Sequence, residues 1–532
     1  MIDRREFLKL MALATGGMVV DPQKIFSRSH DFKYFAVHPF VDQNPQAVFI
    51  MKSQVDAKTN SEAIKQVGLA FGRSVLIPTD DPAIGIPLSH NIAIKPNLTS
   101  RGSWQPGYTT EGTMGVITDV YFVEGMIEHL KELGVPANQV YVREVNGVEN
   151  LTEGGYGDMG RRTGADVQVI NTKVNRLPAE AVQWMDVPAG IWFNKIPYLW
   201  PVNSAESWLL NISKFKTHAM GMTLCAKNLQ GTIAASYQQH CAYYDSNMSI
   251  STDHIQPNAK DIIMDNYERH VADGIPRWDR PGQEGGLWQE TWATRCIDNN
   301  TVCRAGLHVI EGIYGRDGHF VIGPNEGYAQ DYMTNVIIFG LNPFLVDVIG
   351  CWLGGHEPGN FGLFHLAKER GLLRTFNPMD IPIYEWNVDG IATQRPLTDF
   401  ERTELKTLYL RRDYNGQSED EWHLCNEPFE YPPTQIAEHT KIDRPSSCLL
   451  NQNFPNPFNP STAIQFQLPG NGNARLEVFN LHGELVDVLA DGYFTQGTHL
   501  AVWNSRKNPS GTYFYRLRFG SFSEIKKMTL IR

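Results

Sequence analysis

The 532-residue chain contains no window of about 18 to 20 uninterrupted apolar residues, which excludes a helix spanning a membrane. None of its seven cysteines forms a C-x-x-C pair, so no zinc-ribbon or iron–sulfur ligand run is present and no iron–sulfur cluster is expected. Its 46 glycines and 31 prolines follow no collagen-like period. Basic residues are also short: 47 Lys and Arg against 58 Asp and Glu leave a net charge of -11. Residues 1–30 carry +2 and residues 446–532 carry +3, so the middle carries -16. A middle this acidic excludes nucleic acid as a partner, because neutralising phosphates requires clustered Lys and Arg. What is present is the 42% apolar content of a folded protein, at a length that implies two or more folded units.

Both ends read as addresses. Arg4-Arg5-Glu6-Phe7-Leu8-Lys9 precedes a mildly apolar Leu10 to Val20 containing Gly16 and Gly17, which is the basic-then-apolar order of an export signal. The run resembles a twin-arginine signal, whose machinery carries proteins already folded; an amphipathic first helix is the alternative. Residues 1–30 are assigned to this signal, residues 31–432 to the main domain, 433–460 to a linker and 461–532 to a terminal domain. The linker contains Asn451 to Pro460, where proline recurs too often for a helix. After it come period-two runs such as Ala463 to Leu468, Ala474 to Asn480 and Thr512 to Arg518, separated by Gly, Asn and Pro turns, which predict a small all-β sandwich of immunoglobulin type. The N-F-P-N-P-F-N-P-S-T opening, Leu481-His482-Gly483-Glu484-Leu485-Val486, Ser510 to Leu517 and Lys526 to Ile531 resemble the C-terminal sorting domain of type IX secretion substrates. That resemblance implies the type IX machinery as a partner. It also implies a secreted or outer-surface destination in a Gram-negative bacterium, reached through the periplasm.

The main domain alternates strand-like and helical runs, which predicts an α/β fold with a largely parallel or mixed sheet and flanking helices. Strands are expected at 91–94, 139–143, 207–212, 307–310 and 335–339, and helices at 115–133, 343–353 and 360–370. Cys296 and Cys303 are close enough in sequence to suggest a short disulfide loop. Gly154 to Gly160 matches no nucleotide-binding loop and reads as a turn. Five histidines, at 254, 270, 308, 319 and 356, show no metal-ligand spacing.

Ligands of parallel sheets lie beyond the carboxyl ends of the strands. The residues just after the predicted strands are unusually polar: Lys95 and Asn97, Glu144, Lys214, Lys216, Thr217 and His218, and Glu311, with Lys227 and Asn228 nearby. In an extended segment Lys214, Lys216 and His218 fall on one row. Thr109 and Thr110 precede the predicted helix at 115 and complete a candidate anion seat. The expectation is a cationic hollow in an acidic domain, with Lys95, Asn97, Thr109, Thr110, Lys214, Lys216, Thr217, Lys227 and Asn228 binding an anionic small molecule. His218 is the candidate acid or base, and Glu144 and Glu311 are the candidate partner carboxylates.

Ile94-Lys95-Pro96-Asn97, Asn211 to His218, Thr223 to Gly231, Ile310 to Gly315 and Gly340 to Asp347 also resemble the family called domain of unknown function 362, over about residues 90–370. Some relatives carry iron–sulfur modules with closely spaced cysteines, and that spacing is absent here. Glu311 and Asn342 stand where relatives often have Asp. Two functions stay open: an exported enzyme using His218, or a non-catalytic ligand-binding or adhesive surface protein.

Overall fold

A computed structural model describes residues 32–99, 111–145, 147–170, 177–222, 224–234, 253–276, 278, 286–409, 422–431 and, with short interruptions, 448–531. The expected export signal and most of the expected linker lie outside the described residues. The chain divides into two compact units, residues 1–431 and 432–532.

The first unit is built on a ten-stranded sheet: β1 (Val48–Lys52), β2 (Asn91–Pro96), β3 (Val140–Val145), β4 (Asp166–Ile170), β5 (Ser207–His218), β6 (Gly221–Met222), β7 (Leu307–Arg316), β8 (Asp331–Gly340), β9 (Ile383–Trp386) and β10 (Ala392–Gln394). Across the sheet the order is β10-β9-β1-β8-β7-β5-β2-β3-β4, with β6 folded back against the end of β5. Strands β4, β3, β2, β5 and β7 run parallel, and β8 is antiparallel to both of its neighbours. The sheet is thus mixed and largely parallel, as expected.

Its helices include α1 (Ser61–Val75), α2 (Val120–Glu132), α3 (Tyr156–Thr163), α4 (Cys225–Asn228), α5 (Ala259–Ala272), α6 (Gly286–Val302), α7 (Pro343–Leu353) and α8 (Gly362–Glu369). Strand alternation feeds two cores, one on each face. Phe49 and Met51 pack with Phe71 of α1 and Val123 and Ile127 of α2, whereas Val48 and Ile50 pack with Trp292 of α6, Ile349 of α7 and Leu363 of α8.

Three local expectations need correction. Helix α2 begins at Val120 rather than 115, because Asp119 caps it by accepting the Tyr121 N–H at 2.8 Å. The glycine-rich stretch does not end as a turn: Gly155 adopts φ 74°, a conformation glycine reaches freely, and opens α3, which buries Tyr156, Met159 and Thr163. Cys296 and Cys303 form no disulfide, and both are buried free thiols. They lie along or just past one helix, about 10 Å apart at 1.5 Å per residue, beyond the reach of a disulfide.

The second unit comprises β11 (Leu449–Leu450), β12 (Ser461–Leu468), β13 (Gly472–Phe479), β14 (Leu485–Phe494), β15 (Gly497–Asn504), β16 (Gly511–Phe519) and β17 (Phe522–Leu530). They form two antiparallel sheets, β11-β12-β15 and β14-β13-β16-β17. Ile464 and Phe466 from one sheet meet Leu476, Val478, Tyr515 and Leu517 from the other in a single core, which makes the unit a sandwich. Among the described residues, no helix of either unit is long and apolar enough to cross a membrane.

Candidate functional site

The polar residues expected beyond the strands are for the most part still within them. Strand β5 continues to His218 and β7 to Arg316, and from Leu209 to His218 every residue of β5 is buried. A buried polar strand needs a partner for each side chain, and those partners define the site.

Lys95 lies at the end of β2. Its Nζ donates to Glu144 Oε2 at 2.6 Å, to the Pro96 carbonyl at 2.6 Å and to Asn228 Oδ1 at 3.0 Å. Glu144 also accepts the Leu98 N–H at 3.0 Å and the Val145 N–H at 2.9 Å. Both side chains are almost fully buried, and burial lowers the lysine and raises the carboxyl while their attraction opposes both shifts. Asn228 completes the knot by donating to the Lys95 carbonyl at 3.0 Å and to Asn211 Oδ1 at 2.8 Å, which ties α4 to β2 and β5.

A second buried pair joins Lys214 to Glu311 at 2.7 Å, with both side chains at 0% exposure. The ammonium also sits 3.3 Å from the centroid of the Tyr314 ring. Glu311 accepts the backbone N–H of Asp119 at 3.0 Å and of Ile313 at 3.1 Å, and Tyr314 donates to Asp119 at 2.6 Å. Burial, first among the causes, holds the Glu311 carboxyl above its ordinary value, and Lys214 opposes the rise.

The two pairs lie on opposite faces of the sheet. Lys95 shares its face with Ala93, which packs with Leu229 and Ile263, whereas Lys214 shares its face with Ile212, which packs with Ile92 and Ile94. Lys95 and Lys214 therefore do not present free charges to a common hollow.

Lys216, His218 and Lys227 are arranged differently. Lys216 Nζ lies 3.3 Å from Thr99 Oγ1 and 5.4 Å from the centroid of the Phe320 ring. The His218 ring meets His319 edge-on at 4.4 Å and Phe320 at 5.2 Å. Lys227, on α4, is half-buried and makes no ion pair among the described residues. His218 is held well below its ordinary value, first by burial and then by three basic neighbours, His319, Lys227 and Lys216. At neutral pH it is therefore an uncharged imidazole. Its Nδ1 accepts the Met220 N–H at 3.3 Å, so the ring proton resides on Nε2.

Other expected site residues have structural partners. The Asn97 N–H donates to Thr118 Oγ1 at 2.9 Å, and Thr217 donates to the Gly318 and Lys406 carbonyls at 2.9 and 3.0 Å. Asn342 caps α7 by accepting the Phe344 and Leu345 N–H groups. Thr109 and Thr110 lie outside the described residues. Sequence reasoning missed Thr99, His319, Phe320 and Tyr314. Of these, Tyr314 carried a signal, because it lies in the same Ile310 to Gly315 segment as Glu311.

The structure is that of an α/β protein with a polar site at the carboxyl edge of its sheet, followed by a separate β-sandwich. Residues 92–352 match the family model described as Domain of unknown function (DUF362), and residues 452–531 match the Secretion system C-terminal sorting domain. The chain thus carries a DUF362 domain and a type IX sorting domain, and the latter directs it to the cell surface. No curated protein matches it.

Proposed function

We propose that this cell-surface protein binds a phosphate- or carboxylate-bearing ligand at Lys216, Lys227 and His218. The observation that carries the reading is that His218 is buried edge-on against His319 at 4.4 Å, with Lys216 and Lys227 close enough to act on it, in a region of the chain with a net charge of -16. Basic groups gathered in this way attract an anion. The neutral His218 contributes its Nε2–H as a hydrogen-bond donor. Because Nδ1 is occupied by Met220, His218 orients and polarises a ligand oxygen rather than removing a proton. This favours binding with polarisation over proton-transfer catalysis. Glu144 and Glu311 act as positioning residues, each locking a strand end through a lysine and backbone N–H groups.

Titrating inorganic phosphate into the secreted chain by calorimetry tests the reading. Wild type binds, and Lys227→Met and Lys216→Met each weaken binding about tenfold or more, the scale of a lost charge-assisted hydrogen bond. Equal affinities in all three proteins overturn it. In a His319→Gln background sulfate, whose charge is constant, binds equally from pH 5.5 to pH 8, because His218 is already neutral. Affinity that strengthens as pH falls through 6.5 contradicts the neutral imidazole. His218→Gln, which keeps a donor, retains more affinity than His218→Ala.

A further inference from the structure

Strand β7 ends at Arg316, a residue that the anion-binding reading does not use. Arg316 is 1% exposed, and its guanidinium has partners on two of its three nitrogens. Nε donates to the Phe320 carbonyl at 2.7 Å and Nη1 to Asp331 Oδ1 at 2.5 Å, whereas Nη2 is buried with no hydrogen-bond partner. The carboxylates nearby are engaged elsewhere. Asp331 Oδ2 accepts from Lys58 at 2.8 Å and from the Gly115 N–H at 3.3 Å. Asp317, which also acts on Arg316, accepts from the Gln330 N–H, Asn325 and Tyr332. A buried donor left without an acceptor is costly, and more so on a charged group, so Nη2 points to an acceptor that arrives with a ligand.

Three observations bring Arg316 to Lys216 and His218. Arg316 is the register partner of Lys216 where β5 and β7 run side by side. Both side chains leave the sheet on the same face. A methyl group at Gly315 would come 2.9 Å from the Phe215 ring, so Gly315 and Phe215 face one side, and Arg316 and Lys216, next along their strands, face the other. Phe320 then touches all three residues. Its ring centroid is 5.4 Å from Lys216 Nζ and 5.2 Å from the His218 ring, and its carbonyl holds Arg316 Nε.

We propose that Arg316 is a further ligand-binding residue, whose Nη2 takes one oxygen of the anion at Lys216 and His218, and that this anionic group is a phosphate rather than a carboxylate. The inference rests on the anion-binding reading above and narrows its ligand class. With Arg316 the donors come from β5, β7 and α4. The three terminal oxygens of a phosphate form a tripod that meets donors from several directions, whereas the two oxygens of a carboxylate accept in and near one plane. Arginine is also the side chain whose rigid fork suits phosphate oxygens, which a lysine at this position would not reproduce.

Calorimetry with inorganic phosphate and with acetate at pH 8 tests this on the secreted chain. Wild type binds phosphate about tenfold or more tightly than acetate, the scale of one additional charge-assisted hydrogen bond. In Arg316→Met the ratio of the two affinities falls about tenfold, while Asp331 keeps Lys58 and the Gly115 N–H as partners. Arg316→Lys keeps a cation opposite Asp331 but loses the fork, and gives the same fall, so the result does not depend on whether Arg316→Met folds. If wild type binds acetate as tightly as phosphate, or if the preference survives Arg316→Lys, this inference is overturned and the anion site stands. If wild type binds neither ion, the anion reading fails and this inference falls with it.

Discussion

Lys95 and Glu144 lie at adjacent ends of β2 and β3, and their partners are each other, the Asn228 side chain and a few backbone groups. Breaking such a pair on one side leaves a buried uncompensated charge. Glu144→Gln should therefore lose about 3–5 kcal/mol in urea unfolding, while Lys95→Met combined with Glu144→Leu loses much less. Asp347 supports a pH prediction of known sign. Its carboxylate oxygens accept the Cys225 and Ala226 N–H groups at 2.7 and 2.9 Å, but burial outweighs them and raises the group to about 8. An acid whose folded value is raised adds stability that is fully present below its unfolded value, about 3.9, and is lost as pH climbs toward the folded value. Relative to Asp347→Asn, wild type should lose stability between about pH 4 and pH 8, as read from thermal unfolding across that range; parallel curves would contradict this. At this scale the sequence allowed the choice of residues but not their pairing. Lys214 and Glu311 stand 97 positions apart, and only the parallel alignment of β5 with β7 places them opposite one another.

Elements were more legible than pairs. The helix at 343–353 was readable to the residue because Asn342 and Pro343 supply cap and first turn together. Strands β5 and β7 run beyond the 207–212 and 307–310 that their apolar residues predict, because the polar residues that follow remain in the strand. They stay extended because partners from distant segments satisfy them, and single-sequence periodicity does not report such partners. Close packing between elements was also invisible. A methyl group at Gly68 of α1 would come 2.2 Å from the Phe122 carbonyl oxygen of α2, and one at Gly125 of α2 would come 2.2 Å from the Lys65 carbonyl oxygen of α1. The two helices therefore approach backbone to backbone through reciprocal glycines. Gly125→Ala should force them apart at a cost of about 1–3 kcal/mol, measurable as a lowered denaturation midpoint with an unchanged m-value.

For the whole molecule, composition alone separated an acidic body from a basic terminal sandwich, and the sandwich was the most legible part because alternating strands and turn residues are local signals. The sorting domain and the proposed binding site reside in different units. Removing residues 448–532 should abolish surface exposure, scored by protease accessibility on intact cells, and surface delivery of the shortened chain would contradict this. The site was only partly legible because the expected cationic hollow proved to be two closed ion pairs on opposite faces, with a smaller cluster between Lys216, His218 and Lys227. The most direct test of that cluster is anomalous diffraction from crystals of the secreted chain soaked in tungstate, a heavy oxyanion. The account predicts a peak within hydrogen-bonding distance of Lys216, Lys227 and His218 Nε2, whereas tungstate bound only elsewhere, with these three side chains untouched, would contradict it.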